Sequence, residues 1–390
     1  MKKIALQLMV LCLLNFASFA QWQQSVGTTG LNMQSLLVNG MYAYAGGATG
    51  AYLSTDTAAN FLFSNSGNNA AGPTRGLTHD NTYTYTCTSQ GVFRSSNNGT
   101  TWISKSIGLS NLLNSGIINV GTRLFVVGPG GVYMSTDNAD NWTAAGLTGT
   151  DVRCITSMQD TLYVGTLNSG IYKSSDWGQN WISINNGLGS ANGFRAIECK
   201  DNTVFVGGPI GTGVFRSIDF GATWTLLSSG LPSGSYRGFA SNNQYIFAGS
   251  FGAGVYYSSD NGNNWTAINT GLLDLTIFDL ELSTTYIIAA TNTQGVFRLP
   301  LTDLNSATGI EEQRNINTVN VFPNPIQTTI NFIAENKMIG QDYSIYDCFG
   351  KIVLFGKVDK NEMAVDASNL INGIYWVNIA NTATAKFIKQ

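Results

Sequence analysis

A short motif returns along most of the chain at a nearly constant spacing. Its full form is Ser-x-Asp-x-Gly-x-x-Trp, where x is any residue, as between Ser258 and Trp265. Six copies carry Asp or Asn at the third position, namely Asp56, Asn97, Asp137, Asp176, Asp219 and Asp260. A glycine that opens a run of β-branched and aromatic residues precedes each copy, and a seventh such glycine has no copy after it. From Gly50 to Gly295 these glycines lie 39 to 43 residues apart, a period that predicts a propeller or another repeat array.

The motif has the composition of a hairpin turn. Asp or Asn can accept hydrogen bonds from its own turn amides, Gly can take a positive φ, and the trailing Trp can cover the apolar face of the next strand. These residues resemble the Asp-box (BNR) repeat of sialidase-like propellers. That resemblance implies that the turns lie on the outer rim, far from the ligand face. We therefore expect the six Asp and Asn residues to have a structural role, and not to bind metal or act in catalysis.

Each period contains four short strand-like runs, and four antiparallel strands make a propeller blade. The last glycine run, Gly295–Arg298, has no motif after it, whereas Trp22 stands near the start without strands before it. If residues near Trp22 supply the outer strand of the last blade, seven blades close into a ring and no sheet edge stays exposed. The sequence thus predicts an all-β chain whose residues 21–300 form a seven-bladed β-propeller.

Composition excludes several function classes. Charged residues make up 11% of the chain, the net charge is −3 and the isoelectric point is about 5.2, so there is no basic field to hold a nucleic acid. His79 is the only histidine, which leaves little for a zinc site or a histidine-based catalytic triad. We expect no metal and no cofactor.

Residues 1–20 have the pattern of a secretory signal peptide. Lys2 and Lys3 precede an apolar run, and small residues end at Ala20, after which we predict cleavage. A lipoprotein would use Cys12, but Leu11 stands where a small residue should precede the lipid-accepting cysteine. No later apolar run approaches the length of a membrane span, so we expect an exported protein without one. The remaining cysteines show no zinc spacing; disulfides are permitted in this compartment but not required, and buried free thiols are favoured.

The repeat stops near residue 301, and a polar stretch at 301–317 predicts an exposed linker. Residues 318–390 then read as short alternating strands, long enough for a small β-sandwich. The segments Val321–Pro325, Tyr343–Asp347, Leu370–Tyr375 and Lys386–Lys389 resemble the C-terminal sorting domain of type IX (Por) secretion. That resemblance implies a partner in the type IX machinery, passage through the outer membrane, usual removal of the domain afterwards, and a mature protein that is secreted or on the cell surface.

One position of the innermost strands carries arginine in four blades. Nine residues before Thr84, Leu162, Val204 and Ile246 of the second strand-like runs, it is Arg75, Arg153, Arg195 and Arg237, while the other blades offer Gln34, Gly116 and Phe278. Inner strands line the central channel, so we expect these arginines to cluster at one mouth, opposite the turns. One interpretation is a site for carboxylates, which guanidinium groups bind bidentately. The other is structural: each arginine pairs with a nearby carboxylate, for which Asp151, Glu198 and Asp279 are candidates.

Two functions therefore stay open. Sialidases combine an arginine cluster with a tyrosine nucleophile and acidic residues, and Tyr236, Glu198 and Asp279 could take those roles. No Arg-Ile-Pro element typical of sialidases precedes the first motif, however, and no carboxylate pair is singled out. The arginine-mouthed ring also resembles the photosystem II stability and assembly factor-like propellers, which bind without catalysis. We favour a monomeric binding or adhesion propeller for an acidic extracellular peptide or glycan, with no catalytic residue assigned, over an exo-acting glycosidase.

Overall fold

The computed structural model describes residues 21–67, 72–307, 320–333, 338–347, 351–379 and 383–390. The signal peptide predicted at residues 1–20 and Cys348 lie outside this part of the chain. The described residues form two compact units, of which the first ends at Ser306 and the second begins at Ala307. In the same residues, no helix is long and apolar enough to cross a membrane.

The first unit contains, within the described ranges, seven four-stranded antiparallel sheets, one for each blade. The inner strands of blades 1 to 7 are Met33–Asn39, Thr74–His79, Gly116–Val120, Val152–Met158, Ala196–Lys200, Tyr236–Ser241 and Ile277–Leu282. The second strands are Tyr42–Gly47, Thr84–Thr88, Arg123–Gly128, Thr161–Thr166, Thr203–Gly207, Ile246–Ser250 and Tyr286–Thr291. The third strands are Gly50–Ser54, Gly91–Ser95, Gly131–Ser135, Ile171–Ser174, Val214–Ser217, Gly254–Ser258 and Val296–Pro300. The outer strands are Leu62–Phe63, Ile103–Ser104, Thr143–Ala144, Ile182–Ser183, Thr225–Leu227, Thr266–Ala267 and, for blade 7, Gln23–Gln24.

A strand at Gln23–Gln24 closes the ring. Gln23 and Gln24 pair with Arg298 and Phe297 of the last third strand. Trp22 is buried beside this strand, and its indole N–H donates to the main-chain oxygen of Ile268, just after the outer strand of blade 6. The prediction of an all-β, seven-bladed propeller closed by its own N-terminal strand is confirmed.

The core of the propeller lies between neighbouring blades. Every residue of the second strands Thr84–Thr88 and Ile246–Ser250 is buried, because neighbouring blades cover both faces of these strands. Four of the five tryptophans that end the motifs join the blades, since their indole N–H groups donate to main-chain oxygens just after the outer strand of the preceding blade, whereas Trp265 donates to Gly262 in its own turn. These four bonds run from Trp102 to Ser64 (3.0 Å), Trp142 to Lys105 (2.8 Å), Trp181 to Ala145 (2.8 Å) and Trp224 to Ile184 (2.6 Å). Trp22 makes the same contact for blade 7, which lacks a motif.

One sequence expectation is wrong at the end of the propeller. We expected residues 301–317 to form an exposed linker, but Leu301–Ala307 is a helix. Leu304 is fully buried in the apolar cluster of blades 6 and 7, and Leu301 packs against the same cluster. The segment is mostly polar, so its composition did not indicate that Leu304 would be buried. Residues 308–317 lie outside the described part of the chain.

The second unit is a β-sandwich of two antiparallel sheets. Asn320–Phe322, Thr329–Ile333 and Glu362–Asp366 form one sheet. Ile352–Lys357, Asp342–Tyr346, Gly373–Ile379 and Ala383–Lys389 form the other, in that order. Alternate residues of these strands, such as Phe332, Ile345, Val377 and Phe387, are fully buried between the sheets. The predicted small C-terminal sandwich is thereby confirmed.

Candidate functional site

We call the seven equivalent inner-strand positions of the blades the ring positions; they are Gln34, Arg75, Gly116, Arg153, Arg195, Arg237 and Phe278. In five blades the inner strand has a β-bulge or similar register shift at this position, and the residue there has no partner on the neighbouring strand. These residues are Gln34, Arg75, Arg153, Arg237 and Phe278. A bulge places two residues opposite one and redirects the side chain of the extra residue. At these five positions the side chains therefore do not follow the regular alternation of the inner strand.

All seven ring positions line one cavity of about 480 Å³ at the channel mouth, among them Arg75, Arg153, Arg195 and Arg237. The four positive charges influence one another. Partial burial lowers the pKa of Arg195, and the charges of Arg153 and Arg75 lower it further, although Asp151 opposes them. Burial, followed by the charge of Arg195, lowers the pKa of Arg237 to about 10. The structure therefore brings the four arginines together in one mutually repelling cluster, which we call the arginine ring.

The strand register places the arginine ring and the motif turns at opposite ends of the blades. In blade 1, Ser35 near the start of the inner strand pairs with Gly46, and Gly46 pairs with Ala51 near the start of the third strand. The turn follows Ser54, at the far end of that third strand. Because the other blades repeat this antiparallel order, the ring and the turns lie on opposite faces of the propeller.

The four ring arginines have different partners. Arg153 forms an ion pair with Asp151, although Arg153 Nε and Asp151 Oδ1 are buried without a hydrogen-bond partner. The guanidinium carbon of Arg237 lies 3.7 Å from the centroid of the Phe251 ring and 5.3 Å from that of Phe278, and its Nε also lacks a partner. Among the ion pairs that join described residues, Arg153–Asp151 is the only one that involves the ring, so Arg75, Arg195 and Arg237 have no carboxylate partner there.

Three carboxyl groups line the same cavity without pairing with the ring. Glu198 accepts a hydrogen bond from Ser241 Oγ (2.7 Å), and Asp279 accepts from the main-chain nitrogens of Leu36 (2.8 Å) and Leu280 (2.9 Å). Burial raises the pKa of Glu198 and of Asp279 to about 7. The pKa of Glu281 lies well above its ordinary value because of burial and because Asp279 and Glu198 are close. The interpretation that each arginine pairs with a local carboxylate is therefore wrong for Glu198 and Asp279 and right for Asp151.

Glu281 is a cavity residue that the sequence reasoning missed. It stands three residues after the ring position Phe278, just as Glu198 stands three residues after Arg195. The repeat register applied to this second position would have identified it.

The catalytic arrangement of a sialidase is not assembled. Tyr236 is fully buried in the apolar cluster between blades 5 and 6, and its hydroxyl donates to the main-chain oxygen of Pro232 (2.9 Å). Glu198 and Asp279 face the cavity, but Tyr236 is not among the residues that line it. The assignment of Tyr236 as a nucleophile is therefore wrong, because the inner-strand alternation turns it into the core.

The six motif turns share one hydrogen-bond pattern. In each, the serine hydroxyl donates to the side-chain oxygen of Asp or Asn two residues later, and that oxygen accepts the main-chain N–H four residues further on. The second contact is 2.9 Å in all six, with acceptors Asp56, Asn97, Asp137, Asp176, Asp219 and Asp260. Two consecutive residues between them have positive φ, such as Phe220 (58°) and Gly221 (86°). These contacts occupy the carboxylates within the turns.

The thiols that the structure describes are free and largely buried. Burial raises the pKa of Cys87, Cys154 and Cys199 to about 12, which keeps these free thiols protonated and unreactive. No group of three or more His, Cys, Asp or Glu side chains within the described ranges is arranged to hold a metal ion.

The C-terminal unit is a sorting domain. Residues 320–390 match the family described as the secretion system C-terminal sorting domain. The chain is thus a β-propeller protein with a type IX sorting domain, which directs export to the cell surface or into the medium. No curated protein matches the sequence.

Several solved propellers resemble the chain in structure at low sequence identity. PorZ, an essential bacterial surface component of the type IX secretion system of Porphyromonas gingivalis, is 14% identical with a TM-score of 0.56, and the match covers 94% of this chain and 60% of PorZ. YCF48 bound to a D1 peptide is 11% identical with a TM-score of 0.57, covering 73% of this chain and 97% of YCF48. A GH74 enzyme of Niastella koreensis is 15% identical with a TM-score of 0.54, and the match covers 70% of this chain and 43% of that enzyme. This chain spans less than two thirds of PorZ, and these likenesses show the fold alone.

Proposed function

We propose that this exported propeller is a monomeric binding protein that holds an acidic peptide or glycan at the arginine ring. The observation that carries the proposal is that four guanidinium groups line one cavity while Arg75, Arg195 and Arg237 have no carboxylate partner among the described residues. Neighbouring like charges destabilise the free protein, and a bound carboxylate offsets this repulsion. Guanidinium groups bind carboxylates through two parallel hydrogen bonds, which adds specificity for that group.

One feature favours binding over catalysis of the sialidase kind: the tyrosine that a sialidase would need is buried in the core. YCF48, a propeller of similar fold, has been solved with a peptide bound, so a propeller of this size is compatible with a peptide ligand. A fluorogenic sialoside that stays intact with the purified protein is the expected result for a protein that only binds.

The test uses the full exported chain and two anionic probes, a glutamate-rich peptide and an oligogalacturonate, with binding measured by isothermal titration calorimetry at low salt. Replacing Arg75 and Arg195 together by Gln should weaken binding of the preferred probe by roughly a hundredfold, since two charge-assisted contacts are lost. Arg123→Gln is the matched control, because it removes the same charge from the opposite end of a blade, where Arg123 stacks on Trp177 (4.3 Å). Equal binding by the double variant, or no binding of either probe by the native protein, contradicts the proposal.

A further inference from the structure

An exposed apolar surface lies beside the arginine ring on the side of blades 6 and 7. Phe251 follows the second strand of blade 6 and is 38% exposed, and Leu275, in the loop between the two blades, is 40% exposed. Phe278, the ring residue of blade 7, lines the cavity. Leu273, in the same loop as Leu275, is also exposed. We call Phe251, Leu275 and Phe278 the apolar shelf.

The backbone holds the apolar shelf in one arrangement. The main-chain nitrogens of Gly252 and Gly254 both donate to the oxygen of Leu275, at 3.1 and 2.8 Å. Phe251 also forms an isolated antiparallel bridge with Thr276. The rings of Phe251 and Phe278 meet edge to face, with centroids 5.8 Å apart and an interplanar angle of 75°. The turn of blade 6 and the loop before blade 7 therefore act as one surface.

The positively charged side chain of Arg237 contacts the apolar shelf. The Arg237 guanidinium lies against the face of Phe251 and near Phe278, as given above, and it has no carboxylate partner among the described residues. Arg237 is partly buried next to these two rings, and a charge-assisted hydrogen bond is stronger where water is excluded. A ligand carboxylate that reaches Arg237 therefore brings its neighbouring groups onto the apolar shelf.

The chemistry of the shelf discriminates between ligand classes. Phenylalanine and leucine offer no hydrogen bonds to sugar hydroxyl groups, and polar groups that lose water without a new partner are costly. Flat sugar rings stack on open aromatic faces, but Arg237 already covers one face of Phe251. A large apolar side chain gains free energy on the shelf in proportion to the apolar surface that it removes from water.

We propose that the apolar shelf and Arg237 together form a subsite for a peptide in which an acidic residue stands next to a large apolar one. This inference rests on the proposed function of the arginine ring and narrows its ligand to a peptide. The carboxylate binds Arg237, and the adjacent phenylalanine or leucine side chain packs on Phe251 and Leu275.

The experiment compares two short peptides of equal length and charge, measured by calorimetry on the full exported chain. One alternates glutamate with phenylalanine and leucine, and the other has serine at the apolar positions. An oligogalacturonate is the third probe. We expect the apolar peptide to bind roughly tenfold more tightly than the serine peptide, and Leu275→Ser to remove most of that difference without changing affinity for the serine peptide. Ile210→Ser is the matched control, because Ile210 is 80% exposed in the turn between the second and third strands of blade 5 and does not belong to the apolar shelf.

The outcomes separate the two proposals. If both peptides bind equally and their binding depends on Arg75 and Arg195, the subsite is wrong and the ring function stands. If the oligogalacturonate binds more tightly than either peptide, the ligand is a glycan and the inference is overturned. If no anionic probe binds, both proposals fail. Phe251→Ser gives a second measurement: it should lower affinity for both peptides, because it also removes the support of Arg237.

Discussion

Arg153 is paired with Asp151, whereas Arg195, at the equivalent position of the next blade, has no such partner. The two arginines have the same place in the repeat but opposite expected effects on stability. Arg153→Gln should lower the free energy of unfolding by about 1 to 3 kcal/mol, because it leaves a partly buried carboxylate without its partner. Arg195→Gln should raise the melting temperature slightly, since it removes a repelling charge. Thermal unfolding of both variants checks this, and stabilisation by Arg153→Gln would contradict the assigned ion pair.

The cavity carboxyls predict a loss of stability as the pH rises. Their folded-state pKa values are raised, to about 7 for Glu198 and Asp279, so between about pH 4 and pH 7 the folded state binds more protons than the unfolded state. The free energy of unfolding contributed by these groups therefore falls over that range. Glu281→Gln should flatten the decline and stabilise the protein at pH 8. Urea unfolding at several pH values measures how the free energy of unfolding depends on pH. Glu281→Asp, which keeps the charge, should show the same pH dependence as the native protein.

The turn carboxylates predict a loss of stability at acid pH. Hydrogen bonds from Thr223, Ser217 and the turn amides lower the pKa of Asp219 to about 2, so its contribution is present above about pH 4 and is lost as the pH falls towards 2. At pH 7, Asp219→Ala should lower the free energy of unfolding by about 1 kcal/mol and leave ligand binding intact. Asn97→Ala is the control, because the amide does not ionise and its removal should leave the acid dependence unchanged. Weaker ligand binding at unchanged stability would refute the structural role of Asp219.

The helix after the last blade predicts a structural role for Leu304. Leu304→Ala should lower the free energy of unfolding of the propeller by about 2 to 5 kcal/mol, because a fully buried leucine leaves a cavity in the cluster of blades 6 and 7. Thr302→Ala, on the same helix, is the comparison and should have little effect. Chemical unfolding followed by tryptophan fluorescence reports on the ring, and near-native stability of Leu304→Ala would show that the helix does not support it.

We expect removal of the sorting domain to prevent export without unfolding the propeller. A chain that ends at residue 317 should keep a folded propeller, because the ring closes through Gln23 and Gln24 within the first unit. It should stay in the periplasm of a type IX host, because the domain that directs export is absent. Fractionation of cells and medium measures this, with the full chain as the control. Normal amounts of the shortened protein in the medium would count against the sorting role.

Much of the architecture follows from local sequence signals. The period of the glycines predicts the blade count, and Trp22 together with the last glycine run at Gly295, which has no motif after it, predicts how the ring closes. The ring positions could be counted from the repeat, because equivalent positions of identical units lie in one circle. These signals are local and repeated, so they do not depend on how any one pair of blades packs.

The partners of the arginine ring were decided by tertiary structure. Arg153 pairs with Asp151, two residues away, whereas Glu198, three residues after Arg195, accepts a hydrogen bond from Ser241 of the next blade. Asp279 bonds to the main chain of Leu36 in another blade, a contact that closure of the ring creates. Arg237 is held by Phe251 and Phe278, which are distant in sequence. The sequence by itself determined the repeat and the ring of guanidinium groups, and only packing between blades decided which charges are left without a partner.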